Sequence, residues 1–196
     1  MKHYDIFTPE TAPQSTAPIL QALKNKIGFV PNVFSVMGGS PAVLGGFVAL
    51  NQSFGETTLD ATEREVVQIA ASVVNEGSYC VAGHTSFARK QKVSDEVVAA
   101  VRSGGVISDP KLAALHRFSH RVAVTRGHLG DAEVAQFLSA GYTPTQVQEV
   151  ILGVCVKMFS NITDNVLGFP LDEQFSDYAW EPESVAGAGF DEEVAA

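Results

Sequence analysis

Cys80 and His84 lie four residues apart in the stretch EREVVQIAASVVNEGSYCVAGH, residues 63–84. On a helix this spacing sets the thiol and the imidazole on one face, one turn apart. With Ser78 as the cap, Cys80 falls in the first turn, where unpaired N–H groups and the helix dipole favour an anion. A helix N-terminus or a neighbouring imidazolium favours thiolate over thiol, and the thiolate is the form that attacks electrophiles and peroxides. Glu65 stands on the preceding helix, at the position of a carboxylate partner for His84. A base oriented by a third group completes a nucleophile–base–carboxylate set.

The same residues have plainer readings. A lone cysteine is commonly a small buried apolar residue. His84 could be a core histidine with its hydrogen bonds met, and Glu65 an acid on a solvated helix face. The three could also meet at a zinc ion, although three ligands make a thin set. His116 and His120 form a second i, i+4 pair, but Arg117-Phe118-Ser119 lies between them, without the glutamate of a His-Glu-x-x-His site. No metal site or cofactor is therefore expected. Cys155 falls beside the apolar face of Ile151 and Val154 and reads as core packing. The glycine pairs at 38–39, 45–46 and 104–105 lack phosphate-loop spacing.

Positioning these groups requires helices, and the chain marks helix ends clearly. Thr16 and Pro18 open a segment with Ile19, Leu20 and Leu23 that stops near Gly28. Ser40-Pro41 is a cap followed by a proline, and Val43, Leu44, Phe47 and Val48 form a stripe ending at Gly55. Asp60 with Glu63 makes a capping box ahead of Val66, Ile69, Ala70, Val73 and Val74. Asn75-Glu76-Gly77 reads as a stop, with Gly77 available as a helix C-cap, and the helix of Cys80 and His84 starts at Ser78. Further helices start at Ser94, Asp109-Pro110, Asp131 and Thr143-Pro144, the last with Gln146 in a capping box. Sustained two-residue alternation and Asn-Gly or Asp-Gly hairpin signals are absent, so the fold class is all-α. Shared capping and apolar spacing at 60–75 and 143–159 raise an internal helical repeat.

The 196 residues fit one domain, read as 1–180, with an acidic, Ala- and Gly-rich tail at 181–196. With 45% hydrophobic and 18% charged residues, the composition is that of a globular chain. A formal charge of −9 argues against nucleic acid as a partner. No run reaches the ~18 apolar residues of a membrane span, and Met1 to Pro9 does not read as a signal peptide. Two cysteines far apart fit a reducing cytoplasm.

Glu65, Cys80 and His84, with Val73-Val74-Asn75, the run Tyr79 to His84, the segment APILQALKNKIGFVPNVF at 17–34 and Pro170-Leu171-Asp172-Glu173, resemble the alkylhydroperoxidase D-like/carboxymuconolactone decarboxylase family, in its peroxidase-related branch. The resemblance runs roughly to Phe175. It implies an alkylhydroperoxidase D-like helical domain, in which Cys80 attacks peroxide and His84 and Glu65 handle protons. The family's first cysteine of a Cys-x-x-Cys pair falls on Gly77, and relatives often carry histidine where Asn165 stands. Without that resolving cysteine, the resemblance implies an external thiol or dithiol reductant; the family uses a lipoyl-linked or similar dithiol. It also implies a homo-oligomer, a trimer or hexamer. The leading expectation is a hydroperoxide-reducing oxidoreductase with a single reactive cysteine. The alternatives are a non-redox lyase or hydrolase using His84 and Glu65, and a relative whose chemistry has decayed.

Overall fold

The computed structural model describes residues 4–182, so the expected tail lies outside the described residues except for Glu181 and Pro182. Among the described residues there is no strand, as the all-α reading expected. The described residues form nine α-helices, in order: α1 Ala17–Ile27, α2 Asn32–Met37, α3 Pro41–Gly55, α4 Ala61–Val74, α5 Ser78–Lys90, α6 Asp95–Ser103, α7 Pro110–Thr125, α8 Asp131–Ser139 and α9 Pro144–Leu167. A 3-10 helix, Glu173–Tyr178, closes the described chain.

The helix starts are made locally, as their sequences predict. Asp60 Oδ1 accepts from the Glu63 N–H at 2.8 Å, and Glu63 Oε2 accepts from the Asp60 N–H at 2.9 Å. Thr143 and Gln146 form the same reciprocal box before α9. Ser40, Ser94 and Asp109 each cap with the side chain. Such caps satisfy N–H groups the helix cannot, and each is worth about 1 kcal/mol. The short α2 and the 3-10 helix are not announced in the sequence, because six residues hold too little periodicity.

Helix α4 is the centre of the molecule. Its residues Glu63 and Glu65 through Ser72 are all buried, because α5, α6, α7 and α9 pack around it. Helix α9 crosses the same core, against α3, α4, α5 and α7. By length and composition it is apolar enough to cross a membrane, a test that a helix in a protein core also passes. Its buried side also carries Lys157, Ser160, Asn161 and Asp164, a polar stripe at helical spacing. The side opposite exposes Ile151, Ile162 and Val166. Cys155 lies on that exposed side, so the expectation of core packing for it is corrected.

The chain after α9 straps back over α5. Tyr79 Oη donates to Asp172 Oδ2, and the Asn32 N–H donates to the same oxygen at 3.0 Å. Burial raises the Asp172 carboxyl above its usual range, and it pushes the Tyr79 phenol up. Arg102 donates to the carbonyls of Tyr178 and Ala179 at 3.1 and 3.2 Å. Phe175 is thereby pressed edge-on against Phe29, Tyr79 and Phe87.

Candidate active site

Helices α4, α5 and α9 bring Glu65, Cys80 and His84 into one neighbourhood. His84 Nδ1 lies 2.9 Å from Glu65 Oε2, a direct contact with no intervening water. The carboxylate only accepts, so Nδ1 carries the proton and Nε2 presents its lone pair; this tautomer follows from the partners. Glu65 is buried, not on a solvated face, and its other oxygen accepts from Gln91 Nε2 at 2.7 Å. The aperiodic end of α5 thus helps to fix the carboxylate.

A residue that sequence reasoning missed completes the chain of contacts. Lys157 Nζ lies 2.7 Å from His84 Nε2, and only 3% of Lys157 is exposed. An N–H of Lys157 donates and the imidazole nitrogen accepts. Burial holds the Lys157 amine below its usual range, partly opposed by Cys80 and Glu65. Burial and the Lys157 charge hold the His84 imidazole below its usual range, against Glu65. The imidazolium expected beside Cys80 is therefore a neutral ring, and the other basic group at this site is Lys157. A signal for it exists in the sequence: position 157 falls on the buried stripe that Val150 and Val154 begin, where an ionisable side chain is out of place.

Cys80 is 4% exposed, and its thiol donates to Ser160 Oγ at 3.5 Å. It is not sealed off. A cavity of about 70 Å³ is lined by Cys80, His84 and Lys157, with Phe34, Phe47, Phe87 and Phe175 among its apolar walls. Cys80 is the one sulfur in that lining.

The start of α5 departs from expectation in two ways. Ser78 is the first helical residue, and Gly77 sits at the cap, without a side chain to offer. The cap comes from α9 instead: Asp164 accepts from the N–H groups of Tyr79 and Phe169, while its burial raises its carboxyl pKa. A carboxylate already stands where the dipole would favour a thiolate, which weakens that source of stabilisation for Cys80. Second, Gly77 is not a left-handed C-cap of α4. Its φ is −82°, and the left-handed position, φ 53°, is taken by Glu76. The backbone does not ask for glycine at 77; the neighbouring side chain of Asn161 does.

The histidine pair on α7 is separate from this site. His116 is buried, which lowers its pKa to about 4, with His120 and Arg117 adding to the effect. No group of three metal-binding side chains occurs among the described residues. Asn165 donates to the Asn75 carbonyl at 2.8 Å and so ties α9 to the end of α4.

The carboxymuconolactone decarboxylase family model matches residues 41–119, a span that contains Glu65, Cys80 and His84. No curated protein sequence matches the chain. Among solved structures, the alkylhydroperoxidase AhpD core of a peroxidase-related protein from Ralstonia eutropha JMP134 superposes with a TM-score of 0.79 at 23% identity, covering 93% of this chain and 98% of that one. A peroxidase-related protein from Silicibacter sp. TM1040 gives 0.78 at 17% identity, with 89% and 93% covered. A cysteine-to-alanine variant of the debrominase Bmp8 in complex with 2,3,4-tribromopyrrole gives 0.74 at 16% identity, with 91% and 97% covered.

Proposed function

For a chain with the all-α alkylhydroperoxidase D-like fold and a carboxymuconolactone decarboxylase family match, we propose a thiol-dependent reduction of small apolar hydroperoxides at Cys80. The observation that carries this reading is a single sulfur opening, beside a Glu65–His84 couple, into a cavity with aromatic walls. The sulfur attacks the terminal peroxide oxygen, the O–O bond breaks, and Cys80 becomes a sulfenic acid. Glu65 and His84 belong to the machinery that supplies a proton to the departing oxygen. The cavity contains no second thiol, so two external thiols, or one dithiol, close the cycle and leave as a disulfide.

The test is hydroperoxide consumption with an added thiol, together with trapping of the sulfenic acid by a dione reagent. The native protein consumes peroxide and is labelled at Cys80. Cys80→Ser loses both, and a Cys80→Ser protein that turns over at the native rate sinks the reading. In that event a lyase or hydrolase using His84 and Glu65 is the better account, because it leaves Cys80 dispensable. A protein inert in every assay, with native packing, points to decayed chemistry.

A second reading is favoured by the aromatic lining and by the likeness to a debrominase. A soft thiolate can take a halogen from a small aromatic ring, the ring gaining a proton and the sulfur–halogen bond then yielding to an external thiol. Bromide release from a bromopyrrole, measured beside peroxide consumption, separates the two.

A further inference from the structure

We propose that Lys157 is the acid–base group of this site: its amine takes the Cys80 proton, and its ammonium returns that proton to the atom leaving the substrate. The inference rests on the reading of Cys80 as the nucleophile.

Both ring nitrogens of His84 are engaged. Its Nδ1–H is committed to Glu65 at 2.9 Å, and its Nε2 lone pair to Lys157 at 2.7 Å. The ring bridges the Glu65 carboxylate and the Lys157 nitrogen and has no free proton to give the cavity. Lys157 uses one N–H on the ring and keeps its remaining N–H bonds for other partners. It lines the same cavity as Cys80. The ionisable groups that bear on it are Glu65 from α4 and Cys80 and His84 from α5. Helix α3 packs on α9 but contains no ionisable residue, and α7 adds none that shifts Lys157.

Two further observations agree. The N-terminus of α5 is already occupied by the Asp164 carboxylate, so a thiolate at Cys80 needs a different cation, and Lys157 is the one in its cavity. A buried lysine held below its ordinary range also gives up its proton more readily than an exposed lysine does. His84 and Glu65 then act as positioning residues that aim the amine and balance its charge.

The step balances. The Cys80 S–H proton moves to the Lys157 amine, giving thiolate and ammonium. The sulfur lone pair forms an S–O bond with the terminal oxygen of the hydroperoxide, and the O–O pair leaves on the alkoxide. Sulfur is oxidised by two electrons and the peroxide is reduced. The ammonium protonates the alkoxide to an alcohol and becomes an amine again. One external thiol displaces the sulfenic hydroxyl as water and forms a mixed disulfide; a second releases Cys80 as a thiol.

The experiment uses the full chain with Cys155→Ser, because the exposed Cys155 would otherwise dominate alkylation. Iodoacetamide alkylation of Cys80 is followed against pH for the native site, Lys157→Met and Lys157→Arg, beside hydroperoxide consumption. Lys157→Met slows alkylation at pH 7 about tenfold and moves its profile to higher pH; peroxide consumption falls about 100-fold, the scale of a lost acid–base group. Lys157→Arg keeps a cation that does not give up its proton at working pH, so it restores alkylation and leaves peroxide consumption low. Native alkylation in Lys157→Met overturns the proposal, whatever the substrate. Native peroxide consumption in Lys157→Arg overturns the proton transfer. Slow alkylation in Lys157→Met, in a protein whose Cys80→Ser variant still consumes peroxide, sinks the peroxidase reading alone and leaves the coupling of Lys157 to Cys80 standing.

Discussion

A β-carbon on Gly77 would stand 2.7 Å from Cγ of Asn161, closer than real contacts allow. Asn161 is fully buried and tied on both sides: Asn75 donates to its Oδ1 at 3.1 Å, and its own amide donates to Ser72 at 3.4 Å. The space that a side chain at 77 would need is therefore filled by Asn161 from α9. Gly77→Cys alone costs about 1–3 kcal/mol of stability through overpacking, and its thiol does not pair with Cys80 on mild oxidation. Combining it with Asn161→Ala opens the space and permits that disulfide. Thiol titration after oxidation checks both, and facile pairing in the single variant would refute the steric account. The lack of a side chain at 77 is thus a matter of two residues, Gly77 and Asn161.

At the scale of the helix, the contact between α9, α3 and α4 depends on Gly153. A β-carbon there would lie 2.5 Å from Phe54 Cε2 and 2.7 Å from Val67 Cγ1. Alanine favours a helix over glycine by about 1 kcal/mol, whereas overpacking of this kind costs about 1–3 kcal/mol. The packing cost wins, so Gly153→Ala lowers the midpoint of thermal unfolding. Gly46, on α3, has open space where a β-carbon would stand. Gly46→Ala meets only the favourable term and raises the midpoint. Opposite signs for the same substitution in two helices are the expected result, and equal signs would contradict this view of the interface. Because Lys157 lies one turn beyond Gly153 on α9, Gly153→Ala also disturbs the site that α9 completes.

Across the whole molecule, buried histidines make stability sensitive to acid. His116 has a pKa of about 4 in the fold against an ordinary 6.5, and His84 is shifted in the same direction. Between those values the unfolded chain binds a proton that the folded chain refuses, so stability falls as pH drops from about 6.5 toward 4. For His116 the full loss is about 3 kcal/mol at 1.36 kcal/mol per pKa unit. Asp164 and Asp172, held above their ordinary range, act in the opposite sense at the acid end. Urea unfolding at pH 7 and pH 4.5 measures the slope, and His116→Gln flattens it. An unchanged slope in that variant would remove His116 from the account.

The all-helical class, most helix boundaries and the candidates Glu65, Cys80 and His84 were legible in the chain alone. These are short-range facts: a cap acts over three residues, a helical face over four. That His84 is a neutral bridge with Lys157 as its partner emerges only from the packing, because those two residues are 73 apart in the chain. The replacement of the cap of α5 by Asp164, the filling of the space at Gly77 by Asn161, and the wall made by Phe175 arise in the same way. So does the outward turn of Cys155, since an apolar spacing names a face of α9 but not the neighbour it meets. Which buried polar group finds which partner depends on how helices stack, and no local pattern encodes that.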